Sequence, residues 1–298
     1  MNQETSKQEL LENKPEYNFK TIEELEPAIA SLVAQLKEKI ETGEYDTLIS
    51  DEVGGRIPTL VLRKVIQELN PEKRLNTFFV CGGRSSRGKE DYYEMVSFFR
   101  EHTDKIKKAL IVTEFVFRGT TIRDMSDALR DGTDGKAELD VASLFQYIPE
   151  EAEELRRGLE RKNARLFVGE EDYGRAPGHE EGQIDLHNDA QWLGGIEKSK
   201  KEHSIHPIAL VKLMQEEGRI LRDEEFNEIF GITKEDSPKE VTEKLKDPER
   251  NVAYEKRLAE PLTEEEIQKI NNDVRKARED IKTLAEEIRK KIWTEAEE

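Results

Sequence analysis

The stretch from Ala109 to Thr121 constrains this chain more than any other part of its sequence. Four apolar residues are followed by an acidic position, Glu114, and then by a Gly-Thr-Thr turn that runs into a helical pattern. This order predicts a buried strand, a tight loop and the start of a helix. Gly119 lets the backbone approach a ligand, and the first N–H groups of the helix point at the same place as the two threonine hydroxyls. The segment therefore predicts an anion site, for which phosphate is the natural occupant.

Glu114 is predicted to lie at the carboxyl end of this strand, just before the loop. A carboxylate there can accept hydrogen bonds from sugar hydroxyls next to a bound phosphate.

The segment resembles the phosphoribosyl pyrophosphate (PRPP) loop of the type I phosphoribosyltransferases. In that family four hydrophobic residues precede two acidic residues and a Thr/Gly-rich turn that binds phosphate. Thr113 stands where the first acid is expected, and Phe117 and Arg118 replace two small residues of the turn. The resemblance implies that PRPP or its phosphate is bound by Thr113, Glu114, Arg118, Gly119, Thr120 and Thr121.

Strand-like and helical patterns alternate from Tyr45 to about Val168. The predicted strands cover 47–50, 76–81, 109–112, 139–144 and 165–168, and the predicted helices cover 58–69, 91–101 and 121–130. This alternation predicts an α/β fold with a mostly parallel, doubly wound sheet, and the resemblance implies that the fold is phosphoribosyltransferase-like. Ligands of such sheets bind at the carboxyl ends of the strands, where the loops after Ser50, Cys81 and Val112 would gather.

The loop after the first predicted strand is rich in glycine and carries one arginine. Two glycines permit a tight backbone, and the arginine can offer its fork of donors to phosphate oxygens. A loop at this position contacts diphosphate in the resembling family. The resemblance therefore implies that diphosphate is bound by Glu52, Val53, Gly54, Gly55 and Arg56. The alternative is an ordinary Gly-Gly turn followed by a surface arginine.

The loop after the second predicted strand is basic, although the protein as a whole is acidic. Arg84, Arg87 and Lys89 lie there between glycines and small hydroxyl residues. Such a segment can close over a polyanion, exclude water and stabilise a departing diphosphate. We therefore regard these three residues, with Glu114, as the candidate catalytic residues; the alternative is a solvated loop whose charges have no specific role.

Residues 170–206 form a polar, glycine-rich tract that also contains aromatic residues. By position, the resemblance implies a subdomain near 170–206 that covers the site and selects the base. Tyr173 and Trp192 are then candidates to stack on its flat ring. 

The same tract contains histidines and aspartates that invite a metal interpretation: His179, His187, His203, His206, Asp185 and Asp189. Their spacing does not repeat with Cys or Glu partners as in zinc sites, so we expect no dedicated zinc site. Mg²⁺ is the predicted cofactor. The diphosphate would hold most of it, with Glu114 and either Asp51 or Glu52 reaching it directly or through water.

Helical patterns flank the α/β region on both sides, which divides the chain into 1–44, 45–206 and 207–298. Thr21 and Glu24 have the spacing of a capping box, and the helix that follows is predicted to end near Gly43. A second capped start at Thr263 precedes a seam with three- and four-residue spacing: Ile267, Ile270, Val274, Ala277, Ile281, Leu284 and Ile288. This seam can pack in a hairpin against 209–221, pair between subunits in a homo-oligomer, or cover the domain as an ordinary amphipathic helix.

The composition narrows the possible partners and compartment. A formal net charge of −18 over 298 residues disfavours nucleic acid as a partner. No apolar run approaches the roughly 18 residues of a membrane span, and the first 16 residues do not resemble a signal peptide. The one cysteine, Cys81, is expected to be a half-buried residue at a strand end, consistent with a reducing compartment. We expect a cytoplasmic protein without membrane partners.

Two functions fit these observations. The first is a phosphoribosyltransferase of nucleotide metabolism, which takes PRPP or a nucleotide as its small-molecule substrate and relies on positioning and electrostatics. The second is a non-catalytic sensor or scaffold that binds PRPP or a nucleotide and uses its helical tail for interactions. We take the first as the main hypothesis and the second as the alternative, which the departures at Thr113, Phe117 and Arg118 favour.

Overall fold

A five-stranded parallel sheet forms the centre of the protein. The computed structural model describes residues 15–51, 54–80, 89–116, 119–146, 149–170 and 262–294, with isolated residues between 213 and 249. The strands are β1 (Thr47–Asp51), β2 (Asn76–Val80), β3 (Lys108–Val116), β4 (Glu138–Gln146) and β5 (Leu166–Glu170). Their order is β2-β1-β3-β4-β5, and each neighbouring pair is parallel. The predicted α/β class is confirmed.

Seven α-helices accompany the sheet in the described residues. They are α1 (Lys20–Glu24), α2 (Glu26–Glu41), α3 (Arg56–Leu69), α4 (Lys89–Glu101), α5 (Thr120–Gly132), α6 (Pro149–Glu160) and α7 (Glu264–Arg289). None of the described helices is long and apolar enough to cross a membrane.

The sequence patterns did not predict α6, because its large apolar side chains are only Leu155 and Leu159 among many charged residues. Both leucines are buried.

The strand β3 is longer than its apolar run predicted. It continues from Val112 to Val116, so Glu114 lies within the strand and not at its end. The reason is that Phe115 and Val116 extend the pattern of β-forming side chains beyond the polar residues. Thr113 also lies inside the strand, where it is in register with Ser143 of β4.

The helices cover both faces of the sheet. Leu110 and Val112 of β3 belong to one core with α2, α3 and α7, whereas Ala109 and Ile111 belong to the other with α4, α5 and α6. Alternate residues of a strand point to opposite faces, which accounts for this division. The helix that follows β1 and the helix that follows β3 therefore lie on opposite faces, although the two strands are neighbours. Ligands of open α/β sheets bind in a crevice at such a switch point, and we refer to the region at the carboxyl ends of β1 and β3 as the crevice.

The start of the N-terminal helices differs from the prediction. Thr21 lies inside α1 and is buried, and no side chain caps the helix at Phe19, so the predicted capping box with Glu24 is wrong. Burial of Phe19 sets the helix start two residues earlier. The predicted end is confirmed, since α2 ends at Glu41 and Gly43 follows with a φ of +61°.

The carboxylate of Asp280, on α7, takes the place of a local cap. It accepts hydrogen bonds from the backbone N–H groups of Asn18 (3.1 Å) and Phe19 (2.8 Å) and from the Asn18 amide (2.8 Å). Asp280 is only 2% exposed. The first and last described helices are thus held together.

The C-terminal helix begins with the predicted capping box and packs within its own chain. Thr263 and Glu266 exchange the two expected hydrogen bonds, of 2.6 and 3.2 Å. Most of the predicted seam is buried against α1, α2 and α3, but Ile267 is 43% exposed. This is the packing of an amphipathic helix on the domain. Lys269 also forms an ion pair of 2.7 Å with Glu216, a residue of the segment 209–221 predicted to form the hairpin. A homo-oligomer through these helices stays a prediction.

Replacing Asp280 with asparagine should lower the free energy of unfolding by about 1 to 2 kcal/mol, because an amide offers one acceptor where the carboxylate offers two. One of the backbone N–H groups of Asn18 and Phe19 then faces the NH₂ group of the asparagine, which is itself a donor. Urea unfolding measures the change, and Asp104→Asn at an exposed position should stay within about 0.5 kcal/mol. Equal midpoints for Asp280→Asn and the parent would contradict this role of the carboxylate.

Candidate functional site

The crevice between β1 and β3 brings together two segments that are far apart in the sequence. A Cβ atom on Gly54 would lie 3.2 Å from Oε2 of Glu114 and 3.4 Å from Oδ2 of Asp51. Glu114 is 7% exposed and Asp51 is half-buried. Two carboxylates from neighbouring strands therefore flank the loop predicted to bind diphosphate. Asp51 was predicted only as one of two alternative Mg²⁺ ligands, and its position directly after a predicted strand is the sequence signal for its place here.

Gly55 fits this site because no side chain can. A Cβ atom there would lie 2.1 Å from Oγ of Ser50, 2.5 Å from the carbonyl oxygen of Val112 and 2.6 Å from Oδ1 of Asp51. Its φ of −79° is ordinary, so the requirement comes from close packing and not from backbone conformation. The Gly55 carbonyl accepts hydrogen bonds from the N–H (3.0 Å) and the hydroxyl (2.6 Å) of Thr59. The loop is thereby fixed between two strands and the start of α3.

Arg56, the first residue of α3, is buried against β2, on the other side of β1 from β3. It is 6% exposed, and its guanidinium carbon lies 4.1 Å from the ring centroid of Phe79. The alternative of a surface arginine is therefore wrong. Phe79 precedes Val80, the last residue of β2. It was not among the predicted site residues. An aromatic residue at a strand end is a common core feature, so the pattern gave no sign of this contact.

Gly119 and the helix that follows it have the predicted form. Gly119 has a φ of +65°, and α5 begins with Thr120. The Gly119 carbonyl accepts a hydrogen bond of 2.9 Å from the N–H of Arg123, and this bond starts the helix. Thr120 is exposed and Thr121 is half-buried in the first turn, where backbone N–H groups lack partners within the helix. The predicted strand and the predicted helix start are confirmed, and their phosphate-binding role stays a prediction.

Thr113 occupies a different environment from Glu114. It is 5% exposed and lies in register with Ser143 of β4, whereas the side chain of Glu114 lies next to Gly54. The position at which the resembling family has its first acid is thus a strand position inside the sheet in this protein.

The opposite edge of the sheet contains a second buried carboxylate, Asp140, that is fully compensated. It accepts hydrogen bonds from the Tyr45 hydroxyl and the Arg165 N–H, each at 2.9 Å. Lys39 and Lys108 lie 3.4 and 3.7 Å from it. Burial and the neighbouring Asp140 raise the pKa of Tyr45 above its ordinary value. These contacts join the amino ends of the strands and lie away from the crevice.

Several candidate residues lie outside the described residues: Glu52, Val53, Cys81, Arg84, Arg87, Phe117, Arg118, Tyr173, Asp185, Asp189, Trp192 and the histidines between 179 and 206. Lys89 is the first residue of α4, and its side chain also lies outside them. Within the described ranges, no group of three or more His, Cys, Asp or Glu side chains could hold a metal ion. Of the predicted site, the described structure therefore brings together Glu114, Gly54 and Gly55 at the crevice. Arg56 lies against β2, and Gly119, Thr120 and Thr121 follow β3.

No family model matches the chain, and no curated protein or solved structure shows significant similarity to it.

Proposed function

We propose that the protein binds PRPP together with Mg²⁺ in the crevice between β1 and β3 and transfers the phosphoribosyl group to a nucleobase or a related acceptor. The observation that carries this proposal is the position of Gly54 between Glu114 and Asp51, where an added Cβ atom would lie 3.2 Å from Oε2 of Glu114 and 3.4 Å from Oδ2 of Asp51. It joins the predicted diphosphate loop to the strand predicted to hold the sugar. PRPP is a sugar with an anionic group at each end, so its site needs two anion subsites separated by hydroxyl acceptors.

Two helix N-termini support the two anion subsites. The helices α3 and α5 both begin at the carboxyl edge of the sheet, after the neighbouring strands β1 and β3. The first turn of a helix offers backbone N–H groups and the positive end of the helix dipole to an anion. In the proposal α5 binds the 5-phosphate with Thr120 and Thr121, and α3 binds the diphosphate with Arg56.

The carboxylates support the sugar subsite between them. A carboxylate repels phosphate but accepts hydrogen bonds from hydroxyl groups, so Glu114 is suited to the ribose hydroxyls. Oxygen atoms of Asp51 and Glu114 are also ligands of the kind that Mg²⁺ prefers. The ion would neutralise charge on the diphosphate, which would bring most of its ligands.

The proposed transfer breaks the bond between the sugar carbon and a diphosphate oxygen and forms a bond from that carbon to a nitrogen of the acceptor. The bonding electrons leave with the diphosphate, and the proton of the acceptor nitrogen is lost to the diphosphate or to solvent. Positive charge develops on the sugar in between, and the carboxylate of Glu114 would stabilise it. Arg84, Arg87 and Lys89 are the candidates to close over the departing group.

One observation favours the second function, a protein that binds PRPP or a nucleotide without turnover. Thr113, at the position of the family's first acid, is buried within β3 and 5% exposed. A site with one acid in place of two can bind the sugar and still lack the charge needed for transfer.

Turnover separates the two functions. The protein is incubated with Mg²⁺, PRPP and a panel of nucleobases, diphosphate release is followed, and PRPP binding is measured by calorimetry on the same sample. Release with at least one base supports the transferase. Binding without release over the whole panel would reject the transferase in favour of the binding protein, and absence of binding would reject both.

Replacing Thr121 with valine should weaken PRPP binding by about 1 to 3 kcal/mol, the value of a hydrogen bond to a charged group. Valine keeps the shape of the side chain and removes the hydroxyl. Calorimetric titration measures the loss, and Thr121→Ser, which keeps the hydroxyl, should bind nearly as well as the parent. If valine and serine bind equally well, the hydroxyl does not contact the phosphate.

A further inference from the structure

We propose that Phe79 is a positioning residue for Arg56, and that its ring holds the guanidinium in the orientation that receives diphosphate. This inference rests on the proposed function. Arg56 is 6% exposed and its guanidinium carbon lies 4.1 Å from the Phe79 ring centroid. At this distance a cation is attracted to the face of an aromatic ring, and removal from water strengthens the attraction.

The contact has consequences for how the arginine can bind an anion. All N–H donors of a guanidinium lie in its plane, so a ring against its face does not compete with acceptors at its edge. A diphosphate oxygen pair is such an acceptor, and two parallel hydrogen bonds require the plane to be fixed. The main chain fixes only one end of the long arginine side chain, at the first residue of α3. The ring, which belongs to β2, fixes the other end.

The neighbouring residue shows that the contact is specific to one face of β2. Phe78 lies edge-on to Phe98 and His102, with ring centroids 5.3 and 5.0 Å apart, in the core with α4. Consecutive strand residues point to opposite faces, so Phe79 faces the side on which Arg56 lies and Phe78 does not. Phe78→Leu therefore provides a matched control, because it removes a ring from the same strand without touching Arg56.

The test compares two probes, inorganic diphosphate with Mg²⁺ and ribose 5-phosphate, by calorimetric titration. We expect Phe79→Leu to weaken diphosphate binding about five- to tenfold, as the loss of a cation–π contact implies, and to leave ribose 5-phosphate binding unchanged. Phe79→Tyr, which keeps the ring face, should restore diphosphate binding. Phe78→Leu should leave both affinities unchanged. In an Arg56→Gln background, Phe79→Leu should have no further effect, since the two residues act together.

The outcomes separate this inference from the proposed function. If the parent protein binds diphosphate and Phe79→Leu binds it equally well, the inference is wrong and the proposed function stands. Loss of both probes in Phe79→Leu would assign the ring a merely structural role and overturn the inference as well. If the parent protein binds neither probe, the proposed function is wrong and the inference falls with it.

Discussion

Replacing Gly55 with alanine should lower the free energy of unfolding by about 3 kcal/mol or more and abolish PRPP binding. The added Cβ atom would lie 2.5 Å from the carbonyl oxygen of Val112 and 2.1 Å from Oγ of Ser50. The serine side chain can rotate, but the carbonyl belongs to the β3 main chain and cannot. Either the loop moves away from the sheet or β1 and β3 separate, and both changes displace Arg56. Urea unfolding and calorimetric titration measure the two effects.

Gly158 provides a matched control for this substitution. It lies in α6, and a Cβ atom there would meet nothing within 4 Å. Gly158→Ala should therefore stabilise the protein by about 0.5 to 1 kcal/mol through helix propensity and leave ligand binding unchanged. Parent-like stability of Gly55→Ala would mean that the loop after β1 does not pack against the strands as described.

Replacing Glu114 with glutamine should reduce turnover about a hundred- to a thousandfold, the usual effect of removing one preorganised charged group from an active site. Glutamine has nearly the same shape and removes only the negative charge. In the proposed mechanism the Glu114 carboxylate accepts hydrogen bonds from the ribose hydroxyls and stabilises positive charge on the sugar. The affinity for PRPP should therefore fall as well. Steady-state kinetics of diphosphate release and a binding titration measure the two losses.

An exposed glutamate controls for the change in net charge. Glu160 lies at the end of α6 and is exposed, so Glu160→Gln should behave as the parent in both assays. Glu114→Gln with parent-like turnover would remove this residue from the proposed mechanism. In the non-catalytic alternative, the same substitution should weaken binding while no protein in the series releases diphosphate.

Much of the sheet could be predicted from the sequence because its strands and helices follow simple patterns. Apolar runs of four to six residues, separated by helical patterns, located all five strands to within a few residues. The C-terminal end of β3 was missed because Thr113 and Glu114 interrupt its apolar run. Strand order, in contrast, depends on pairing between distant segments, and the alternating pattern did not specify it.

The helix α6 and the first helix show two further limits. The helix α6 was not predicted because most of its residues are charged and only two large apolar side chains pack it against the sheet. A local motif was misread at Thr21, since the spacing of a capping box also occurs inside helices. The group that holds this end of the chain is Asp280, which is separated from Phe19 by 261 residues. No local pattern could have indicated that contact.

The candidate site could be predicted in part. Gly54, Gly55, Glu114 and Gly119 were identified from turn chemistry and from their positions near strand ends, and the fold gathers them at one edge of the sheet. Asp51 and Phe79 acquire their significance only from the packing of three neighbouring strands. Their contacts with the loop and with Arg56 depend on distances that sequence spacing does not contain.

The most direct test of the account is a calorimetric titration of PRPP with Mg²⁺ into the parent protein and into Glu114→Gln and Thr121→Val. The account predicts one binding site per chain in the parent, with affinity reduced in both variants, because one crevice holds the sugar through Glu114 and the phosphate through α5. Binding that neither substitution weakens would place PRPP elsewhere. No binding to the parent protein would contradict the central claim, that the crevice between β1 and β3 is a PRPP site.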